Sequence, residues 1–345
     1  MGKVAVVSVC SVFLVAMVVA VAVGVSRRNG GKGAGEAEPT GISTSTKAVK
    51  AICQPTDYRE TCEKSLANAN STDPKELIKV GFQAAMDEIK AVVANSTTLK
   101  DLAKDPMARQ ALDQCKELMD YAIDDLKRSF TQLGEFDISK IGEYAMNLKI
   151  WLGGSLTYQQ TCLDGFVNTT GEAGAKMREF LKTSQELTSN GLAMVDQFSE
   201  VLNKLNIPNM PHIDTTPNER RLLQADGSPV WVAQEQQAQI AQATANGPQQ
   251  PNVVVALDGS AKYKSINEAL KEVPKNNPTL FKVYIKAGIY KEQVNIAKHM
   301  TNVMFIGDGP TKTTITGSLN YVDGVGTYRT ATVGKYSFCI LIIFK

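Results

Sequence analysis

Three kinds of side chain in this sequence carry chemistry by type and spacing. Cysteine comes first. Of the six, Cys10 lies in an uncharged apolar run and Cys339 in an apolar tail, which leaves Cys53, Cys62, Cys115 and Cys162. In an oxidising compartment four such thiols make two disulfides, and counting alone leaves three connectivities open. The second kind is asparagine in the tripeptide Asn-X-Ser/Thr. Asn70-Ser-Thr, Asn95-Ser-Thr and Asn168-Thr-Thr are N-glycosylation acceptors in a secreted chain. The third is a dibasic pair before two leucines, Arg220-Arg221-Leu222-Leu223, in a segment rich in proline and glutamine. An exposed, extended backbone of that kind is what a lumenal processing protease takes into its cleft.

Metal and acid–base chemistry have less to build on. The two histidines, His212 and His299, stand far apart and on no ligand spacing, which argues against a zinc site or a histidine-based triad. No cofactor is called for. Glu292 and Asp308 each stand at the end of a β-rich run, where a carboxylate caps turn amides more often than it reacts. Lys and Arg number 37 against 35 Asp and Glu, for a net charge of +2, so the composition points to no nucleic-acid partner.

The elements that position these residues change character along the chain. Val4 to Val25 is uncharged and apolar, preceded by Lys3 and followed by Arg27-Arg28, and is long enough to cross a bilayer. Residues 1–28 therefore read as a signal anchor or a signal peptide, with small residues at Ala20, Ala22 and Gly24 where cleavage would fall. Either form delivers the rest to the secretory lumen, and the anchor would add a membrane contact. Residues 29–47 are rich in Gly, Ser and Thr and read as a flexible tether.

From 48 to 206 the period is helical. Asp73-Pro74 and Asp105-Pro106 are start signals, a cap followed by proline in the first turn. The first precedes a stripe of Ile78, Phe82, Ala85, Ile89 and Val92, the second a stripe from Ala111 through Cys115 and Phe130 to Leu133. A third segment runs from Ile138 to about Leu152, and a fourth, long one carries Phe180, Leu187, Val195, Phe198, Leu202 and Leu205. Four amphipathic segments with short joints predict an antiparallel four-helix bundle. A Cys53–Cys62 bridge would staple a short helical hairpin ahead of it. A Cys115–Cys162 bridge would tie the second helix to the end of the third. In the chain-entropy model such bridges are worth roughly 3 and 4 kcal/mol.

Residues 207–250 form a linker around the Arg220-Arg221-Leu222-Leu223 site. Beyond it, 253–257, 282–288, 303–309 and 313–317 are short β-rich runs closed by glycine or Asp-Gly, with one helical segment at Ser265 to Val273. Repeated short strands suit a parallel β-solenoid, with a small sandwich as the competing reading.

Taken in order, these stretches resemble one family. Ile52-Cys53 to Cys62 reads ICQPTDYRETC. Cys115, Cys162 and the RRLL site follow, then Gly288, Tyr290 and Glu292 as GxYxE, and Ile306 to Gly309 as IGDG. Together they resemble a plant pectin methylesterase (pectinesterase) precursor with an N-terminal pectinesterase/invertase inhibitor-like domain. The resemblance runs from about residue 50 to Val333. It implies a disulfide-stapled helical inhibitor-like domain over 48–206 and the first coils of a right-handed parallel β-helix over 251–333. The implied setting is the cell wall (apoplast), with pectin (homogalacturonan) as the substrate whose methyl esters are hydrolysed. Its implied partners are a pectinesterase catalytic domain in cis or in trans and a subtilase-type processing protease.

The family's catalytic glutamines, two aspartates and arginine lie in motifs resembling QAVAL, QDTL, DFIFG and LGRPW, and none of these occurs here. Of its substrate contacts, only the threonine that aligns with Thr327 is present. The site expectation is therefore no catalytic residue, no metal ligand and one substrate contact. Residues 334–345, GKYSFCILIIFK, match nothing expected after that strand and read as a non-family tail, with the esterase truncated there. Gly334-Lys335-Tyr336 can be encoded as GGTAAGTAT, which contains the start of an intron. Three functions follow as expectations: a precursor restrained by its inhibitor-like pro-domain and inactive as an esterase, a stand-alone inhibitor of pectinesterase or invertase, or a truncated product without function.

Overall fold

The computed structural model describes residues 44–134, 141–204, 250–335 and 340–344. The apolar run 4–25, most of the tether, the linker with Arg220-Arg221-Leu222-Leu223, and Cys10, His212 and Cys339 lie outside the described residues. Among the described residues, no helix is long and apolar enough to cross a membrane. The chain divides into two compact units between Thr216 and Pro217.

The first unit is helical: α1 (Thr44–Cys53), α2 (Arg59–Leu66), α3 (Pro74–Asn95), α4 (Pro106–Gly134), α5 (Ile141–Asp164) and α6 (Ala173–Lys204). Both Asp-Pro pairs act as start signals. Asp73 Oδ1 accepts the Lys75 amide at 2.9 Å, and Asp105 Oδ1 accepts the Ala108 amide at 2.8 Å, each satisfying a donor that has no partner within its helix. Helix α3 packs on α4 and α6, and α5 packs on the same two. Ile78, Phe82, Ala85, Ile89 and Val92 are all buried.

Two departures from the stripes have physical causes. Helix α5 runs on to Asp164, three turns past the end expected at Leu152, and the apolar count stopped there because the next core positions are polar: Ser155 and Gln159 are fully buried. Gln159 Oε1 accepts the Ser184 hydroxyl at 2.8 Å, and its Nε2 donates to Thr188 Oγ1 at 3.1 Å, so a pair of helices shares polar groups that an apolar count passes over. On α6, Phe180 and Phe198 are only half-buried, while Leu181, Ser184, Thr188, Met194 and Ser199 take the core face. Gly191 is required where it stands, since a Cβ there would come within 2.9 Å of the Phe82 ring.

The second unit contains β1 (Val253–Val255), a short helix α7 (Ile266–Leu270), β2 (Phe281–Ile285), β3 (Gly288–Lys291), β4 (Val294–Ile296), β5 (Val303–Gly307), β6 (Thr313–Thr316), β7 (Val333–Lys335) and β8 (Ile340–Phe344). Three parallel sheets run β1-β2-β5-β8, β3-β6 and β4-β7. Val283 pairs with Val253 on one side and Phe305 on the other, and Phe305 pairs with Ile342. Strand β2 alternates buried and half-buried along its length, and Val283, Ile285, Phe305, Tyr290 and Val294 meet in one core with Ile266 and Leu270 of α7. Strand β5 is buried on both faces, the second by Met304 and Ile306 packed with Leu280 and Tyr284. Strands β3 and β4 are not among the runs read from the sequence. Residues 340–344, read from the sequence as part of the tail, form a strand in register with β5.

Candidate functional site

Cys53, Cys62, Cys115 and Cys162 form the bridges Cys53–Cys62 and Cys115–Cys162, with Cα separations of 5.7 and 4.6 Å. The first closes the turn between α1 and α2. Asn190 of α6 then clamps that hairpin: its Oδ1 accepts the Tyr58 amide at 3.2 Å, and its Nδ2 donates to the Tyr58 carbonyl at 2.9 Å. The second bridge joins α4 to the end of α5, beside Gln114, whose Nε2 donates to the Thr161 carbonyl at 3.2 Å.

The three acceptor asparagines are all exposed but differ in setting. Asn70 lies in the connection between α2 and α3, and Asn95 ends α3. Asn168 sits in the turn between α5 and α6 at a left-handed φ of 63°. Two residues on, the Thr170 amide and hydroxyl both donate to Asp105 Oδ2, at 2.7 and 2.8 Å. The Asp105 carboxyl is held below the ordinary carboxylate range by the Ala108 amide first, then by the Thr170 amide and hydroxyl. This clasp joins residues too distant in sequence for spacing to suggest it.

In the second unit the strand-end carboxylates are committed to corners. Glu292 accepts the Ile266 amide at 2.8 Å, the Asn267 amide at 3.1 Å, the Ser265 hydroxyl at 2.8 Å and Asn267 Nδ2 at 2.7 Å, which caps α7 with one side chain. Asp308 accepts the Ala287 amide at 2.6 Å and the Tyr284 hydroxyl. That hydrogen bond, with burial next, pushes the Tyr284 phenol up to about 12. Neither carboxylate points a free oxygen at a neighbouring nucleophile. Tyr290 of the GxYxE stretch is buried, and its hydroxyl donates to the Lys286 carbonyl at 2.9 Å. Gly288 of the same stretch is fixed by close approach, since a Cβ would meet Leu257 Cδ1 at 2.9 Å.

Thr327 is exposed and opens a one-turn 3-10 segment, Thr327–Arg329. Its carbonyl accepts the Thr330 hydroxyl at 2.8 Å, and Gln293 holds the turn by donating to the carbonyls of Arg329 and Ala331. Among the described residues no three His, Cys, Asp or Glu side chains come together as a metal site.

Two features were not read from the sequence. A groove of about 610 Å³ lies over β1 and β2, walled by Lys262, Tyr263, Glu272, Tyr284 and Lys286. Its Lys262 ammonium already pairs with Glu272 at 3.2 Å, and Lys286 donates to Ser260 at 2.9 Å. On α5, Met146 and Ile150 lie one turn apart and are 59% and 46% exposed, beside Trp151, whose Nε1 has no hydrogen-bond partner among the described residues. Helical periodicity marks such residues as core, so their exposure was legible only from the packed helix.

Comparison with known proteins defines the class. Residues 47–194 match the family "Plant invertase/pectin methylesterase inhibitor", and residues 252–341 match the family "Pectinesterase". The chain is 48% identical over 331 residues to "Probable pectinesterase/pectinesterase inhibitor 21" of Arabidopsis thaliana, covering 95% of this chain and 48% of that protein. It is 48% identical over 333 residues to "Putative pectinesterase/pectinesterase inhibitor 28" of the same species, covering 95% and 43%. "Pectinesterase/pectinesterase inhibitor U1" of Solanum lycopersicum is 33% identical over 350 residues, covering 96% and 58%. The chain belongs to the pectinesterase/pectinesterase inhibitor family, with an inhibitor-like helical domain followed by a pectinesterase-like region. It spans about half the length of the first two relatives.

Proposed function

We propose that this chain acts in pectin modification in the plant cell wall through its helical domain, which restrains a pectinesterase, either in the same precursor or as a separate protein. The supporting observation is a contrast within the chain. The region matched by the inhibitor family carries both disulfides and an exposed apolar pair at Met146 and Ile150, whereas the strand-end carboxylates Glu292 and Asp308 are spent on capping. In this reading the four long helices make an antiparallel bundle and the parallel strands are the coils of a right-handed β-helix. Thr327 is a substrate contact, and the family reaction on homogalacturonan needs the glutamine, aspartate and arginine motifs that this sequence does not contain.

The apolar run 4–25 delivers the chain to the secretory pathway, as an anchor or a cleaved signal. Asn70, Asn95 and Asn168 are its glycan acceptors. A subtilase-type protease separates the two domains at Arg220-Arg221-Leu222-Leu223.

The test is enzymatic. The full chain and residues 48–206, each made in an oxidising host, are titrated into a plant pectin methylesterase and into an acid invertase at acidic pH. Dose-dependent slowing of the esterase supports the reading. Slowing of the invertase alone overturns it in favour of the other target of the inhibitor family. The 345-residue polypeptide is expected to release no methanol from pectin, and release above a mock preparation would refute the assignment of spent carboxylates.

A further inference from the structure

We propose that Asn168 is an acceptor only before the helical unit folds, whereas Asn70 stays an acceptor afterwards. The inference deepens the secretory reading given above. In N-glycosylation the asparagine Nδ2 attacks the anomeric carbon of a lipid-linked oligosaccharide diphosphate. The new C–N bond replaces the C–O bond to the diphosphate, which leaves with the electron pair, and the amide nitrogen gives up one proton. The transferase must draw the tripeptide into its cleft and engage the hydroxyl two residues beyond the asparagine.

Folding commits every part of Asn168-Thr169-Thr170. Asn168 is fixed at a left-handed φ of 63° and Gly171, just beyond the tripeptide, at 89°. The Thr169 amide and hydroxyl both donate to the Phe166 carbonyl, at 3.2 and 2.8 Å. Phe166 is itself buried, packed so closely on Gly174 that a Cβ there would lie 2.8 Å from the Phe166 Cβ. The required hydroxyl, that of Thr170, is held with its own amide on Asp105 Oδ2. At Gly171 a Cβ would come within 3.0 Å of the Leu102 carbonyl, so the turn also lies tight against the connection before α4. The Cys115–Cys162 bridge fixes the end of α5 from which the turn springs. Extending this tripeptide means breaking four hydrogen bonds and lifting a packed aromatic ring.

Asn70 is set differently. It is exposed in the joint between α2 and α3, and the Thr72 hydroxyl has no hydrogen-bond partner among the described residues. The side-chain contact nearby is Ser71 Oγ accepting the Asp73 amide at 3.1 Å, which leaves the hydroxyl that matters free.

The experiment uses the full chain made without glycans in an oxidising bacterial host. It is presented to a purified oligosaccharyltransferase with a lipid-linked oligosaccharide, and glycopeptide mass spectrometry reads the initial rate at each asparagine. For the folded chain the rate at Asn168 is expected to be at least tenfold below that at Asn70. Reduced and unfolded, the two sites should agree within about threefold. Asp105→Ala should raise the folded-chain rate at Asn168 and leave Asn70 unchanged. Equal rates in the folded chain, or no transfer to Asn168 even when unfolded, would overturn the proposal. Recovery of the chain from plant cells bare at both sites, with the rate difference intact in vitro, would refute the secretory reading and leave the closure of Asn168 standing.

Discussion

The two units hold their chains by different means. In the helical unit, separate helices are fastened by particular side chains: two disulfides, the Asn190 clamp on Tyr58, and the buried Gln159, Ser184 and Thr188 hydrogen bonds. In the second unit the fastening is backbone to backbone, strand on parallel strand, and side chains act mainly at the corners, as Glu292 and Asp308 do. A fold fastened by individual side chains depends on its redox state. One fastened by a ladder depends on each rung having the next.

That contrast can be broken at several points. The largest effect is expected from Cys115→Ser with Cys162→Ser, which should lower the unfolding free energy of the helical unit by about 4 kcal/mol. Urea titration monitored by hydrogen exchange should show early opening of α4 and α5 while the amides of β2 and β5 keep their protection. Equal loss in both units would mean that they unfold as one.

Glu292→Ala is the counterpart in the second unit. It strips four hydrogen bonds from the start of α7 and should cost about 2 kcal/mol. Faster exchange at the Ile266 and Asn267 amides, with the helical unit unaffected, is the expected readout.

The smallest effects are in pH, and they fall at opposite ends of the scale. Asp105 titrates below its ordinary value in the fold, so it adds stability that is present above about pH 3.9 and is lost as pH falls through the lower, folded value. Wild type and Asp105→Ala should therefore differ in Tm at neutral pH and converge in acid. Tyr284 is raised to about 12, so its contribution is present below about pH 10 and is lost as pH rises through 12. Absorbance titration of tyrosinate should lose a late-ionising component in Tyr284→Phe. An unchanged curve would place the Asp308 contact outside the folded ensemble.

How much of this was legible in the sequence follows from how far each residue's partners lie. Asp73 and Asp105 announced their helices because a cap acts within three residues. The stripe from Ile78 to Val92 was legible because apolar burial repeats with the helix turn. Gln159 was not, because its partners Ser184 and Thr188 stand on another helix and are polar themselves. Phe180 and Phe198 misled for the reverse reason: size and apolarity suggested core, while smaller residues such as Ser184 and Ser199 pack at the closer approach. The corner role of Glu292 was legible as a kind of residue at a strand end, but its object, the start of α7, was not.

The parallel ladder of the second unit also bears on how such chains diversify. Val283 sits opposite Phe305, and Phe305 opposite Ile342, so the excursion from β5 to β8 is much longer than the one from β2 to β5, yet both return in step. The connections between paired strands differ in length while the register holds. An insertion in one excursion is absorbed where it arises, and the next rung begins from the same alignment. A connection can therefore lengthen without any compensating change in the strands it joins.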